Sequence, residues 1–147
     1  MIAFDTNVLV YAHRRESRHH QVAADVLRAA AAARSAWAIP WPCLFEFFSV
    51  VTNPRIWKDA ASTSDQAWRQ MTVWTASPSV VLLAEGRDFP IVLESFLRRP
   101  RVRGPIAHDA RVAALCVAHG VAELVTADRD FALFPELRTR NPFLSVR

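Results

Sequence analysis

Met1-Ile2-Ala3-Phe4-Asp5-Thr6-Asn7-Val8-Leu9-Val10-Tyr11 opens the chain. Its first four residues are a short apolar run that reads as a buried strand, and Asp5 stands where that strand ends. From residue 7 to residue 13 the pattern turns helical. The rest of the chain repeats this alternation. Residues 36–39, 80–84 and 123–127 read as strands. Residues 20–34, 43–52, 65–75, 88–98 and 108–119 read as helices, the one at 65 capped by Ser64 or Asp65 and the last ended by Gly120. Alternating strands and helices predict an α/β fold, a single domain over residues 1–147 with a central, mainly parallel sheet of four or five strands flanked by helices. In such sheets function gathers beyond the carboxyl ends of the strands.

Composition agrees with one folded domain. A chain of 147 residues can bury roughly 70% of the surface it exposes when unfolded, so it needs no disulfide or structural zinc. With 52% hydrophobic and 22% charged residues, nine Pro and three Gly, it is neither collagen, coiled coil nor low-complexity disorder. No stretch reaches the ~18 apolar residues of a membrane span. Asp5 arrives where a signal peptide would be basic. Cys43 and Cys116 stand alone, with no Cys or His at zinc spacing, and read as reduced core residues of a cytoplasmic protein. Lys and Arg total 18 against 14 acids, and all but Lys58 are Arg. A GC-rich genome explains the Arg excess; so does phosphate recognition by the planar guanidinium.

Four acids fall at informative places. Asp5 follows the first strand, Asp128 follows the fourth, and Asp109 opens the helix over 108–119. Each alone is an ordinary turn or helix-start residue. Glu46 differs, because apolar residues surround its helix (Leu44-Phe45-Glu46-Phe47-Phe48), which predicts burial on most sides. A buried carboxylate needs a cation, hydrogen-bond donors or a proton, and an Arg partner would serve. If the four converge, each close pair repels by about 4 kcal/mol at 4 Å in an effective dielectric of 20. Divalent cations relieve that repulsion, and all-oxygen ligands select Mg²⁺ or Mn²⁺ over zinc. Such an acidic pit in a basic protein suits cleavage of a nucleic-acid backbone.

The motif Asp5-Thr6-Asn7-Val8-Leu9-Val10-Tyr11 resembles the opening of PIN-domain ribonucleases. Glu46 is similar to their second acid. His108-Asp109-Ala110-Arg111-Val112-Ala113-Ala114-Leu115, then His119-Gly120 and Leu124-Val125-Thr126-Ala127-Asp128-Arg129-Asp130-Phe131, resemble their C-terminal signature. A free-standing domain of this size resembles the VapC toxins of type II toxin–antitoxin pairs, and Thr52-Asn53-Pro54-Arg55 is similar to a segment of some of them. The resemblance implies a toxic, Mg²⁺-dependent endoribonuclease, with Mn²⁺ as a possible substitute. It also implies a homodimer and a VapB-like antitoxin in the active-site groove. Asp5, Glu46, Asp109 and Asp128 take the catalytic and metal-binding positions, with Asp130 assisting or replacing Asp128. Asn7 would hydrogen-bond near the first acid, and Thr126 would orient a carboxylate or a water on the metal.

Arg98, Arg99, Arg101 and Arg103 form a dense basic loop just before Asp109, and Arg14, Arg15 and Arg18 a second cluster after the first motif. Both are candidate RNA contacts, against the plain reading of solvated surface. Of the five Trp, Trp57 beside Lys58 is the best candidate for stacking on a base; the others read as core or subunit interface. A haloacid-dehalogenase-type phosphatase needs D-x-D after its first strand, and Asn7 fills the second position here. A receiver domain fails similarly, since it needs an acidic pair and a later Lys following a strand. The remaining rival is a PIN-like module that binds RNA or a partner without cutting.

Overall fold

A single parallel sheet of five strands, ordered β3-β2-β1-β4-β5, forms the centre of the computed structural model, which describes residues 1–144. The strands are β1 (Ile2–Phe4), β2 (Trp37–Pro40), β3 (Val80–Leu83), β4 (Glu123–Val125) and β5 (Thr139–Arg140). Flanking them are α1 (Thr6–His13), α2 (His20–Ala32), α3 (Trp41–Val51), the short α4 (Pro54–Trp57), α5 (Ser64–Thr75), α6 (Phe89–Leu97) and α7 (Ile106–Ala118). Every strand pairing is parallel. The expected α/β architecture is therefore present, with β5 as the fifth strand that no apolar run announced.

Strand order places the site. The chain steps from β1 outward through β2 to β3, then returns to the other side of β1 with β4 and β5. The reversal lies between β1 and β4, the crevice where open α/β sheets bind ligands. Phe4 pairs with Val125, and the Asp5 amide donates to the Val125 carbonyl at 3.1 Å. Pairing thus runs one residue past β1, and Asp5 lies beside Thr126.

The core is aromatic and tightly ordered. Trp37 meets Phe4 edge-on at 5.8 Å, Phe47 meets Trp74 at 4.9 Å, and Phe96 lies 5.0 Å from Phe134. On α7, Ala110, Ala113, Ala114, Leu115 and Cys116 are fully buried, which fixes the helix that carries Asp109. Gly120 ends that helix region with φ of 67°.

Several local expectations are corrected. Thr63, not Ser64 or Asp65, caps α5: its hydroxyl accepts from the Gln66 amide while the Gln66 side chain accepts from the Thr63 amide. The sequence Thr63-Ser64-Asp65-Gln66 is a capping box, and reciprocal bonding favours it over a lone Ser or Asp. Helix α3 is not buried all round. Cys43, Leu44, Phe47 and Val51 face the core, while Phe45 is 70% exposed and Glu46 and Ser49 are exposed as well. Trp57 is not a free loop ring. It ends α4, donates from its indole to the Val50 carbonyl at 2.8 Å, and lies under the Arg14 guanidinium at 4.0 Å. Arg14 itself is buried, donating to the Ala60 carbonyl and pairing with Glu16. It braces the segment after α4 against α1 and is not a free phosphate contact, whereas Arg15 and Arg18 remain exposed.

Candidate active site

Asp5 is the buried anchor of the site, with 6% of its surface exposed. It caps α1, and its Oδ1 accepts from the Thr6 amide at 2.8 Å and the Cys43 thiol at 3.5 Å. Its Oδ2 accepts from Asn7 Nδ2 at 2.7 Å and Thr126 Oγ1 at 2.7 Å. Burial raises the Asp5 pKa and the Glu46 charge adds to the rise; the bonds from Thr126, Thr6 and Cys43 oppose it. Burial, reinforced by Asp5, pushes the Cys43 thiol up, so it stays protonated and able to donate.

Asn7 and Thr126 complete a closed network. Asn7 spends one amide hydrogen on Asp5 and the other on Thr126 Oγ1 at 3.1 Å, and its oxygen accepts from the Ala127 amide at 3.0 Å. Thr126 donates its one proton to Asp5 and accepts from Asn7 and from the Asp128 amide at 3.0 Å. Each group uses its donor capacity in full, which fixes the amide orientation and ties the ends of β1 and β4 together.

The other acids are more open. Asp128 caps a 3-10 turn (Arg129–Leu133), its carboxylate accepting from the Asp130 amide at 2.8 Å. Asp109, Asp128 and Asp130 each present an oxygen within 4.8 Å of the others, with Asp109 half-buried and the other two exposed. Desolvation and the charges of Asp128, Asp5, Asp130 and Glu46, in that order, push Asp109 up to about 7. Glu46 accepts from Thr6 Oγ1 at 2.8 Å, and among the described residues it has no Arg partner. The alternative reading of Glu46 as a buried acid paired with an Arg is therefore not what the structure shows: the side chain is exposed and lines the cleft. A cleft of 270 Å³ is lined by Asp5, Thr6, Asn7, Glu46, Asp109 and Asp128 together.

All four acids singled out in the sequence therefore meet, with Asp130 beside them. Thr6 and Cys43 were missed. Thr6 lies inside the opening motif, but nothing in spacing reveals that its hydroxyl reaches a helix 40 residues away. The donor set near Asp109 is carboxylate oxygen only, which fits a hard divalent cation and not zinc.

The basic loop divides. Arg99 is committed to the fold: it pairs with Glu136, donates to the Leu133 carbonyl at 2.7 Å and covers the Phe96 ring. Arg98 pairs with Glu94 at 2.7 Å along one exposed helix face, and Arg103 donates to the Pro100 carbonyl at 2.8 Å. Arg101 is exposed and forms no ion pair among the described residues.

The PIN domain family model matches residues 2–137. Ribonuclease VapC43 of Mycobacterium tuberculosis is 32% identical over 142 residues, covering 97% of this chain and 95% of that protein. Ribonuclease VapC48 of the same organism is 31% identical over 140 residues, covering 95% and 96%. Two solved structures share the fold. A chain of VapBC2 from Rickettsia felis, bound to a DNA fragment from their promoter, aligns at TM-score 0.68 and 18% identity, covering 96% of this chain and 98% of that one. VapC20 of M. tuberculosis, a sarcin–ricin-loop-cleaving toxin, aligns at TM-score 0.66 and 18% identity, covering 90% and 93%.

Proposed function

This chain belongs to the PIN-domain family and, within it, to the VapC ribonucleases, and on that premise we propose that it is a Mg²⁺-dependent endoribonuclease held in check by a cognate antitoxin. One observation carries the reading: Asp5, Glu46, Asp109 and Asp128 line a single cleft in a protein of net charge +4. A binding module gains nothing from such mutual repulsion, whereas a metal-dependent hydrolase requires it.

Asp5, Asp109, Glu46 and Asp128 would hold the cation, with Asp130 supporting Asp128. Asp5 forms the fixed floor of the site. When bound, a divalent cation supplies charge stabilisation at the scissile phosphate and lowers the pKa of an attacking water. The chain's own residues do the positioning. Asn7 and Thr126 hold Asp5 in one orientation, and Thr6 aims Glu46 across the cleft. Arg101, with Arg98 and Arg103, would meet flanking phosphates, and Mn²⁺ would substitute for Mg²⁺. A homodimer in the cytoplasm and a VapB-like antitoxin over the cleft complete the proposal. In its support, no helix among the described residues is long and apolar enough to cross a membrane, and Cys43 and Cys116 are free and buried.

The test is cleavage of RNA by the purified chain with Mg²⁺, with Mn²⁺ and with chelator, in the wild type and in Asp109→Asn. Cleavage that needs metal and Asp109 is the expected result. RNA bound but never cut would leave a silent PIN-like binding module. Sequencing new 5′ ends after brief induction would name the RNA.

A further inference from the structure

We propose that the cavity between α3 and α7 beside the carboxylates is a subsite for one unstacked base of single-stranded RNA, with the Phe45 ring as its stacking face. The inference rests on the ribonuclease reading and adds how the site recognises a nucleotide. The cavity encloses 620 Å³. Asp5, Glu46 and Asp109 line both it and the acidic cleft, so the two are continuous. Its other walls are Pro42, Phe45, Pro105 and Val112, with Ser49, His108 and Arg111 as polar groups.

Several apolar side chains are well exposed, Ile91, Val73 and Trp68 among them, but of these Phe45 is the one that lines this cavity. It is 70% exposed although Leu44 and Phe47 of the same helix are fully buried. Leaving such a side chain in water forgoes about 1.5–3 kcal/mol of burial. Its neighbour Trp41, also at the edge of exposure, lies 6.1 Å away ring to ring and backs it.

The occupant is constrained by what surrounds the ring. A strand whose phosphate lies over the carboxylates must put its neighbouring nucleoside against one wall or the other. The α3–α7 cavity offers an apolar wall of Pro42, Phe45, Pro105 and Val112. A second phosphate there would face Glu46 and Asp109 and be repelled, the wall's Arg111 being already paired with Glu85, while a neutral base is not repelled. Aromatic rings accept the face of any base, and Ser49 and His108 offer hydrogen bonds to its polar edge.

The test uses a mixed-sequence single-stranded RNA and an abasic strand of equal length, which carries the same phosphates without bases. Affinity for the wild-type chain is measured in Ca²⁺ so that the strand stays intact. The base-bearing strand should bind about tenfold more tightly, as one stacked base predicts. Phe45→Ala should erase that preference, and Phe45→Trp should keep it. Affinity for the abasic strand should not change in either variant. Phe45 makes little core, so both variants should retain the wild-type circular dichroism.

Equal loss of both strands in Phe45→Ala would overturn the proposal. So would a change in its oligomeric mass, which would make this surface a subunit interface, or failure of the wild type to bind either strand. Parallel cleavage in Mg²⁺ keeps the two readings apart. RNA bound with the Phe45-dependent preference yet never cut removes the nuclease and leaves the subsite. RNA cut without that preference removes the subsite and leaves the nuclease.

Discussion

Asp5 at the end of β1 and Asp109 in the first turn of α7 turn the same charge toward one cleft, yet their surroundings differ in kind. Asp5 is buried and accepts four hydrogen bonds, from Thr6, Cys43, Asn7 and Thr126. Asp109 is half-buried among acids, and no cation pairs with it among the described residues. One side of the site is thus built by folding alone. The other stores repulsion that only a proton or a cation relieves. On the proposed reading, a cation would bind at the frustrated rim without rearranging the sheet beneath the fixed floor.

The largest expected effect is on catalysis. Asp109→Asn should lower Mg²⁺-dependent RNA cleavage by at least ~100-fold, since loss of a ligand forfeits several kcal/mol of charge stabilisation. Calorimetric titration with Mn²⁺ should find its metal affinity collapsed. Wild-type affinity in this variant would break the contrast, because the frustrated rim would then not be the metal site.

Stability sharpens the contrast further, because the two Asp→Asn changes should act with opposite sign. Asp5→Asn places an amide among four donors, leaving buried groups unsatisfied, and should destabilise the chain by about 1–3 kcal/mol. Asp109→Asn removes repulsion and should stabilise the chelated protein. Glu46→Gln, exposed and without an Arg partner, should stay within about 0.5 kcal/mol of the wild type. Urea melts in chelator decide it, and a shift of the same sign for both Asp variants would defeat the division into floor and rim. Asp109→Asn, not Asp5→Asn, is therefore the sound inactive background for binding work.

Thr6 links the two sides. Its amide donates to Asp5 and its hydroxyl to Glu46. Thr6→Val keeps shape and the amide bond but frees Glu46, and should lower metal-dependent activity by about 10-fold, the low end for an outer-shell partner. Thr6→Ser should restore it. If Thr6→Val shifts stability while leaving the metal titration unchanged, Thr6 is only a packing residue.

Much of this site was legible in the chain because strand ends are legible. An apolar run stopped by an acid marks Asp5 and the Thr126–Asp128 segment, and parallel order then brings them together. Glu46 was found for a partly wrong reason. The apolar residues around it promised burial, but α3 buries Cys43, Leu44, Phe47 and Val51, turns Glu46 to the cleft and leaves Phe45 in the adjoining cavity. Periodicity reports which residues could be buried; tertiary packing chooses among them. The basic clusters divide for the same reason. Charge density along the sequence does not reveal that Arg14 stacks on Trp57 or that Arg99 seals Phe96, because both partners are remote or packed beneath.

The smallest effect, and the most direct probe of the rim, is the pH dependence of stability. Asp109 is raised from 3.8 to about 7 in the folded chain. Between those values the native state holds a proton that the unfolded state has lost. Stability therefore falls as pH rises across that window; the favourable contribution is complete below the unfolded value and gone above the folded one. Asp5, also raised by burial, pulls the same way. In chelator, the urea midpoint of the wild type should be lower at about pH 8 than at about pH 5, with Asp109→Asn showing a smaller drop. A cation competes with that same proton, so Mn²⁺ affinity should climb with pH through the same range, and saturating Mn²⁺ should reverse the midpoint trend. A wild-type midpoint that rises with pH in chelator would mean the rim acids are already paired in the folded chain, and the difference between Asp5 and Asp109 would lose its electrostatic basis.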